Sequence, residues 1–130
     1  MRLMKIVWCS MSVVGFHAWP EAPAEVGYLR ERHRHKFNIR VEAEVAENDR
    51  EVEFHILKRK VRGVLVGSFR FNDIAEAEFG ASSCEMIAEK LLHHLRADGL
   101  PVVSIAVDED GECGAKVSVL EVSAAEEVST

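Results

Sequence analysis

Cysteines are few in this chain of 130 residues, and its three, Cys9, Cys84 and Cys113, are far apart. An odd number of cysteines without a Cys-x-x-Cys pair excludes a disulfide framework as the basis of the fold and fits a reducing compartment. No apolar run approaches the roughly 18 residues that a membrane-spanning helix needs. The stretch 4–15 also lacks the small-residue cleavage site of a secretory signal. We therefore expect a cytoplasmic protein without a membrane partner.

Internal repeats, low-complexity segments and linkers are also missing, so the length fits one domain. A hydrophobic content of 48% and a charged content of 29% are typical of an ordinary soluble globular protein. The formal net charge of −6 argues against a nucleic-acid partner. We expect a single folded domain over residues 1–122 and a polar, frayed tail over 123–130.

Hydrophobic periodicity predicts a mixture of strands and helices. In chain order, the predicted elements are strands over 2–16, 33–46 and 51–54, helices over 57–68 and 82–98, and strands over 102–107 and 116–122. A capping box, Ser82 to Glu85, marks the start of the second helix, and the stretch 67–81 is predicted to be a loop. This order predicts an α+β fold in which an antiparallel β-sheet carries two helices packed on one face.

Three histidines are the most informative residues. His33 and His35 open the second predicted strand, where side chains two apart share a face, and His17 lies upstream near the end of the first. Two imidazoles about 6–7 Å apart along a strand can converge on one ion, with a third ligand from a neighbouring strand. Three neutral nitrogens leave the fourth position of a tetrahedral zinc open, as in catalytic sites. A His-x-His pair also occurs on many surface strands, so the pair alone leaves both interpretations open.

Taken in order, the motifs resemble those of the T-fold enzymes 6-pyruvoyl-tetrahydropterin synthase and 6-carboxy-tetrahydropterin synthase over nearly the whole chain. The similar segments are Phe16-His17-Ala18, His33-Arg34-His35 with the strand 36–43, Val52 to Lys58, Ser82 to Ala88, and Val117 to Val122. The resemblance implies a single T-fold domain over 1–122 with the order ββ(β)ααββ. It also implies Zn²⁺ bound by His17, His33 and His35, and a homo-oligomer, trimer-based or hexameric, with active sites between subunits.

The resemblance also assigns a ligand-binding residue. In that family a glutamate near the end of the last strand binds the amidine-like N–H groups of a pterin, and the similar position here is Glu121. A carboxylate suits this role because it accepts two parallel, charge-assisted hydrogen bonds. The implied ligand is a reduced pterin or a related purine-like molecule. Without the resemblance, Glu121 would be read as an exposed acid at the sheet edge.

Two catalytic groups of that family are missing here. Leu29 occupies the position of the family's catalytic cysteine, and the stretch 69–76 contains no histidine for its Asp-His dyad. Other bases are available, but the sequence selects none of them: Asp73, Glu76, Glu78 or His55. The catalytic residues are therefore unknown. Two functions stay open: a zinc-dependent carbon–oxygen lyase with altered activity, or a non-catalytic pterin- or purine-binding protein that keeps the zinc.

The segment 28–36 is strongly basic within an acidic protein. Its arginines could bind the phosphates of a nucleotide-like ligand beside the zinc. They could equally form a solvated strand edge that neighbouring acids balance, and this second interpretation is the favoured one.

Overall fold

The structure, a computed structural model, describes residues 1–120. Its elements are β1 (Lys5–His17), β2 (His33–Val45), α1 (Phe54–Ser68), β3 (Arg70–Phe71), β4 (Ala77–Gly80), α2 (Cys84–Ala97), β5 (Val102–Glu109) and β6 (Cys113–Ser118). A short 3₁₀ helix, Ala24–Leu29, lies between β1 and β2. The six strands form one sheet in the order β3-β4-β1-β2-β5-β6. Within the described range, neither helix has the length and apolar character that a bilayer crossing requires.

Both helices pack against one face of the sheet, as predicted. The buried residues of α1, Leu57, Val61 and Leu65, are four apart and so lie on one side of the helix. Those of α2 follow the same helical spacing: Cys84, Ile87, Ala88, Leu91, Leu92 and Leu95. Across from them lie the alternate, inward-facing residues of β2: Phe37, Ile39, Val41, Ala43 and Val45. The α+β class with two helices on one face is therefore confirmed.

The connection between the helices is not the loop predicted over 67–81. It contains a small hairpin in which Arg70 of β3 is paired with Glu78 of β4. Strand β4 also pairs with the end of β1 in a parallel arrangement, so the sheet is mixed rather than wholly antiparallel. Strands of two and four residues are too short to produce a recognisable alternation. The buried pair Ala77 and Phe79 is the only local indication of β4.

The short strand predicted over 51–54 is wrong, because this stretch leads into α1. The Glu53 carboxylate caps the helix and accepts hydrogen bonds from the backbone N–H groups of His55 and Ile56. The alternation of Val52 and Phe54 resembled a strand, yet Phe54 is 54% exposed and contributes to no buried sheet face. The cap of α2 is likewise Ser83 rather than the preceding serine, and its hydroxyl accepts from the Met86 backbone N–H.

The strand register gathers polar side chains at one end of the sheet. Strands β1 and β2 pair antiparallel with His17 directly opposite His33, and His35 lies on the same face two residues further along β2. On the other side of β2, the last residue of β5, Glu109, lies opposite Phe37. Since directly opposed residues share a face, the three histidines and this glutamate lie on the face that carries the helices.

Gly63 gives a stability prediction for α1. It lies within the helix at an exposed position, where an added Cβ would meet nothing within 4 Å. Glycine in a helix costs about 0.5–1 kcal/mol relative to alanine, because it loses more backbone freedom on folding. We expect Gly63→Ala to raise the free energy of unfolding by about that amount in urea titrations.

Gly15→Ala is the matched control, with the opposite expected sign. Its added Cβ would lie 2.7 Å from the ring of Phe79, so the core must shift to accommodate it. A loss of stability in Gly63→Ala would contradict the description of this side of α1 as open.

Candidate metal centre

The structure brings together the three histidines that the sequence singled out. Their ring centroids are 4.6 Å (His17 to His33), 5.3 Å (His17 to His35) and 5.0 Å (His33 to His35) apart. One nitrogen from each ring lies within 4.8 Å of the other two. The residues come from two neighbouring strands, so the sheet itself sets their spacing. Three converging imidazole nitrogens form a group that can hold a metal ion.

Each of the three rings is held from behind through its Nδ1 atom. The contacts are His17 with the Ser82 carbonyl at 2.9 Å, His33 with the Glu31 carbonyl at 2.8 Å, and His35 with the Asp110 carboxylate at 2.6 Å. Carbonyl and carboxylate oxygens only accept hydrogen bonds, so Nδ1 is the protonated nitrogen in each ring. In the neutral form of each ring, Nε2 then carries the lone pair. This is how metal-binding histidines are usually oriented in proteins.

The Nε2 atoms of His17 and His35 are buried and have no hydrogen-bond partner among residues 1–120. The Oε2 atom of Glu109 is close, at 2.9 Å from the first and 3.7 Å from the second, but without hydrogen-bond geometry. Unpaired buried polar atoms are rare in native proteins, and here both lie close to the same carboxylate oxygen. A cation among these groups would satisfy all of them, so the residues fit a metal.

The protonation state of His17 also suits a metal ligand. Burial lowers the pKa of His17, and the adjacent His33 and His35 lower it further, while the Ser82 carbonyl and Glu109 oppose these effects. The ring therefore stays neutral to lower pH than an exposed histidine does. Neutral imidazole is the form that binds metals.

The ring of Phe37 forms the floor of the cluster. It is fully buried and lies edge-on to His17 and His35, with centroid distances of 5.1 and 5.7 Å. The ring of Phe79 packs against it from the side, at 4.8 Å. Because the floor is close-packed, the imidazoles above it have little room to change rotamer.

Two carboxylates at this site, Glu109 and Asp110, were not predicted from the sequence, where they lie between the strands predicted over 102–107 and 116–122. A hairpin turn of residues 110–112 joins the paired Glu109 and Cys113, and Asp110 and Gly111 both have positive φ, 61° and 74°, as the central residues of a type I′ turn do. The only local signal for Glu109 is that it lies two residues after the buried Val107, on the same face of β5. The predicted ligand-binding residue Glu121 lies outside the described residues.

The basic segment 28–36 is largely balanced within the chain. Arg32 pairs with Glu78 and stacks on the Phe16 ring, with 3.6 Å between the guanidinium carbon and the ring centroid. Arg34 lies 3.7 Å from Glu76. These contacts favour the interpretation of this segment as a paired, solvated edge. The same contacts pair Glu78 and Glu76, two of the candidate bases, with arginines.

The candidate base His55 and the nearby thiol of Cys84 are also not suited to act as bases at the histidines. His55 contacts Glu53 at the start of α1 and lies beside residues 6–10 of β1, toward the other end of that strand from His17. Cys84 lies two residues after Ser82, whose carbonyl contacts His17. Burial is the main cause that raises the pKa of the Cys84 thiol, to about 12. That thiol is therefore protonated and a poor nucleophile at neutral pH.

Comparison with known proteins identifies solved structures that share the fold of this chain. No protein-family model and no curated protein matches the chain. An uncharacterized protein from Wolinella succinogenes matches with a TM-score of 0.63 at 15% identity, over 90% of this chain and 99% of that one. The 6-pyruvoyl tetrahydropterin synthase of Caenorhabditis elegans matches with a TM-score of 0.59 at 11% identity, over 92% and 100% of the two chains.

A third solved structure, the 6-pyruvoyl tetrahydropterin synthase of Plasmodium falciparum, matches with a TM-score of 0.54 at 17% identity, over 88% of this chain and 96% of that one. At these identities the likeness concerns the fold alone. The chain is an α+β protein with the fold of 6-pyruvoyl tetrahydropterin synthases, which confirms the T-fold predicted from the sequence motifs.

Proposed function

We propose that this protein binds Zn²⁺ through His17, His33 and His35 and holds a reduced pterin or a related purine-like ligand beside it. The observation that carries the proposal is the set of three imidazoles anchored at Nδ1, with two buried Nε2 atoms that lack hydrogen-bond partners in the described part of the chain. The likeness to 6-pyruvoyl tetrahydropterin synthase structures supports the ligand class.

The donor set favours zinc over harder cations. Three imidazole nitrogens suit Zn²⁺, whereas Mg²⁺ and Ca²⁺ prefer oxygen ligands. Bound zinc would supply a Lewis acid with one coordination position free for a ligand oxygen or water. The chain's own contribution is to hold the three rings in place, exclude water with the Phe37 floor and keep His17 neutral.

Glu109 is the group that we propose for recognition of the pterin. Its carboxylate is 28% exposed and faces the same space as the Nε2 atoms of His17 and His35. A carboxylate there can accept two parallel N–H donors from an amidine-like ring edge. The corresponding role of Glu121 stays a prediction.

Ligand binding is better supported than the lyase reaction. Proton abstraction next to a carbonyl needs a positioned base. Glu78 and Glu76 lie beside arginines, His55 lies toward the other end of β1, and the Cys84 thiol is protonated at neutral pH. Lyase activity with altered chemistry is therefore the second candidate function. Glu109 is then the carboxylate beside the histidines that would act as the base.

We further propose that the chain works as a homo-oligomer, trimer-based or hexameric. Within the described range, residues 5–14 of β1 pair only with β2, so one edge of this strand is free. Among residues 1–120, strand β6 is the outer strand on the opposite side of the sheet and pairs only with β5. Free edges of this length are normally covered, and pairing with another copy would cover both.

Metal analysis and ligand titration test the proposal. Protein purified without chelators is expected to contain about one zinc ion per chain, since one group of three ligands is present. A reduced pterin should bind to this form, and Glu109→Gln should weaken binding about tenfold or more, because a charge-assisted hydrogen bond is lost.

Glu112→Gln, on the same turn, is the matched control and should bind like the wild type. Zinc-free protein would contradict the metal assignment. Equal pterin affinity in the wild type and Glu109→Gln would contradict the role of the carboxylate.

A further inference from the structure

The three Nδ1 contacts of the histidine cluster are chemically unequal. His17 and His33 donate to neutral backbone carbonyls, at 2.9 and 2.8 Å. His35 donates to the Asp110 carboxylate, at the shorter distance of 2.6 Å. A charged acceptor makes a shorter and stronger hydrogen bond than a neutral one. One of the three rings is therefore held differently from the others.

Asp110 is itself fixed in place by β2. Its second carboxylate oxygen accepts a hydrogen bond from the Lys36 backbone N–H at 2.8 Å, and its own N–H donates to the Lys36 carbonyl, also at 2.8 Å. Both oxygens and the backbone of one residue thus contact β2, which prevents rotation of the carboxylate. The φ of 61° at Asp110 is uncommon for a residue with a side chain, although aspartate tolerates it better than most. Such backbone conformations persist where the surroundings fix them, often at functional sites.

We propose that Asp110 is a positioning residue that fixes the rotamer of His35 and makes this ring the strongest electron donor among the three ligands. The inference rests on the metal site of the proposed function. Outer carboxylates of this kind raise the basicity of a metal-bound histidine and its affinity for the ion.

The same residue ties Glu109 to the cluster. Glu109 is the last residue of β5, and the contacts of Asp110 with Lys36 fix the end of that strand against β2. Glu109, which we propose to bind the pterin, and Asp110, which anchors His35, are therefore adjacent residues of one turn. Loosening this turn should displace both.

The test measures metal affinity in variants of Asp110. Metal-free protein is titrated with Co²⁺ alone, and with Zn²⁺ in competition with a chelator. Asp110→Ala is expected to weaken both affinities about 10- to 100-fold, the usual cost of losing an outer-shell partner. Asp110→Asn keeps the shape and the tolerance of positive φ, but it lacks the charge and its single amide oxygen can accept from only one of His35 Nδ1–H and the Lys36 N–H. It should therefore lose less affinity than Asp110→Ala and shift the visible absorption of bound Co²⁺.

Asp108→Asn is the matched control. Asp108 belongs to the same turn, but its carboxylate accepts from Asn38 and from the Gly111 backbone and does not contact the histidines. This variant should bind Co²⁺ like the wild type, with an unchanged spectrum.

The outcomes separate the inference from the proposed function. If His35→Ala loses the metal while Asp110→Ala and Asp110→Asn match the wild type in affinity and spectrum, the metal site stands and the role of Asp110 is overturned. If His35→Ala keeps its metal, the site itself fails. Should Asp110→Ala not fold, Asp110→Asn decides: wild-type affinity and spectrum would refute the proposal.

Discussion

Replacing His35 by alanine is expected to lower the metal content from about one ion per chain to almost none, because only two imidazoles would remain. His35 makes the Nδ1 contact with Asp110, and its buried Nε2 is one of the two without a partner. Elemental analysis of wild type and variant, purified side by side without chelators, measures the effect.

The variant should remain folded, so that metal loss reports the ligand and not the scaffold. The side chain of His35 is 20% exposed and lies at the end of the sheet, above Phe37 rather than within the core. Circular dichroism and urea unfolding should therefore show a folded protein. His93→Ala is the matched control, since that ring is 74% exposed on α2 and contacts only Glu89 among the ion-pairing groups described. Full metal content in His35→Ala would contradict the ligand assignment.

The histidine cluster could be predicted from sequence because two simple periodicities place it. Alternation along β2 puts His33 and His35 on the face that also carries Phe37 and Ile39. Antiparallel pairing of consecutive strands then brings the end of β1, and with it His17, opposite the start of β2. No long-range information beyond that pairing was needed.

The two carboxylates of the site required information that alternation does not contain. Strand β5 lies beside β2 although about 60 residues separate them, and only the register of this pairing places Glu109 opposite Phe37. The pattern Val-x-Glu stands at Val107 to Glu109 and again at Val119 to Glu121. The family resemblance assigns the pterin-binding role to the second of these glutamates, Glu121, which stays a prediction.

The predictions for the short elements over 51–54 and 67–81 were wrong for a related reason. Strands β3 and β4 have only two and four residues, and it is their pairing with each other and with the end of β1 that defines them as strands. In the stretch before α1, by contrast, a strand was predicted where none exists, because Val52 and Phe54 alternate but pair with no neighbouring strand. The carboxylate of Glu53 decides that region by capping the helix.

The largest expected effect on stability comes from Phe37→Ala. The ring is fully buried and packs against Phe79 and the two histidines above it, so its removal leaves a cavity that the sheet and helices cannot close. Phenylalanine-to-alanine substitutions at such positions cost about 3–5 kcal/mol, a large fraction of the stability of a small domain. Urea unfolding at fixed protein concentration measures the loss.

Phe54→Ala is the control for this substitution, because that ring is 54% exposed and should change stability by no more than about 0.5 kcal/mol. Phe37→Leu separates the two roles of Phe37, which are to fill the core and to hold the histidine rings. It refills most of the cavity and should recover much of the stability, but it removes the edge-on contacts that hold His17 and His35. We therefore expect Phe37→Leu to fold and yet bind metal more weakly than the wild type. Wild-type metal affinity in this variant would show that the Nδ1 contacts alone orient the rings.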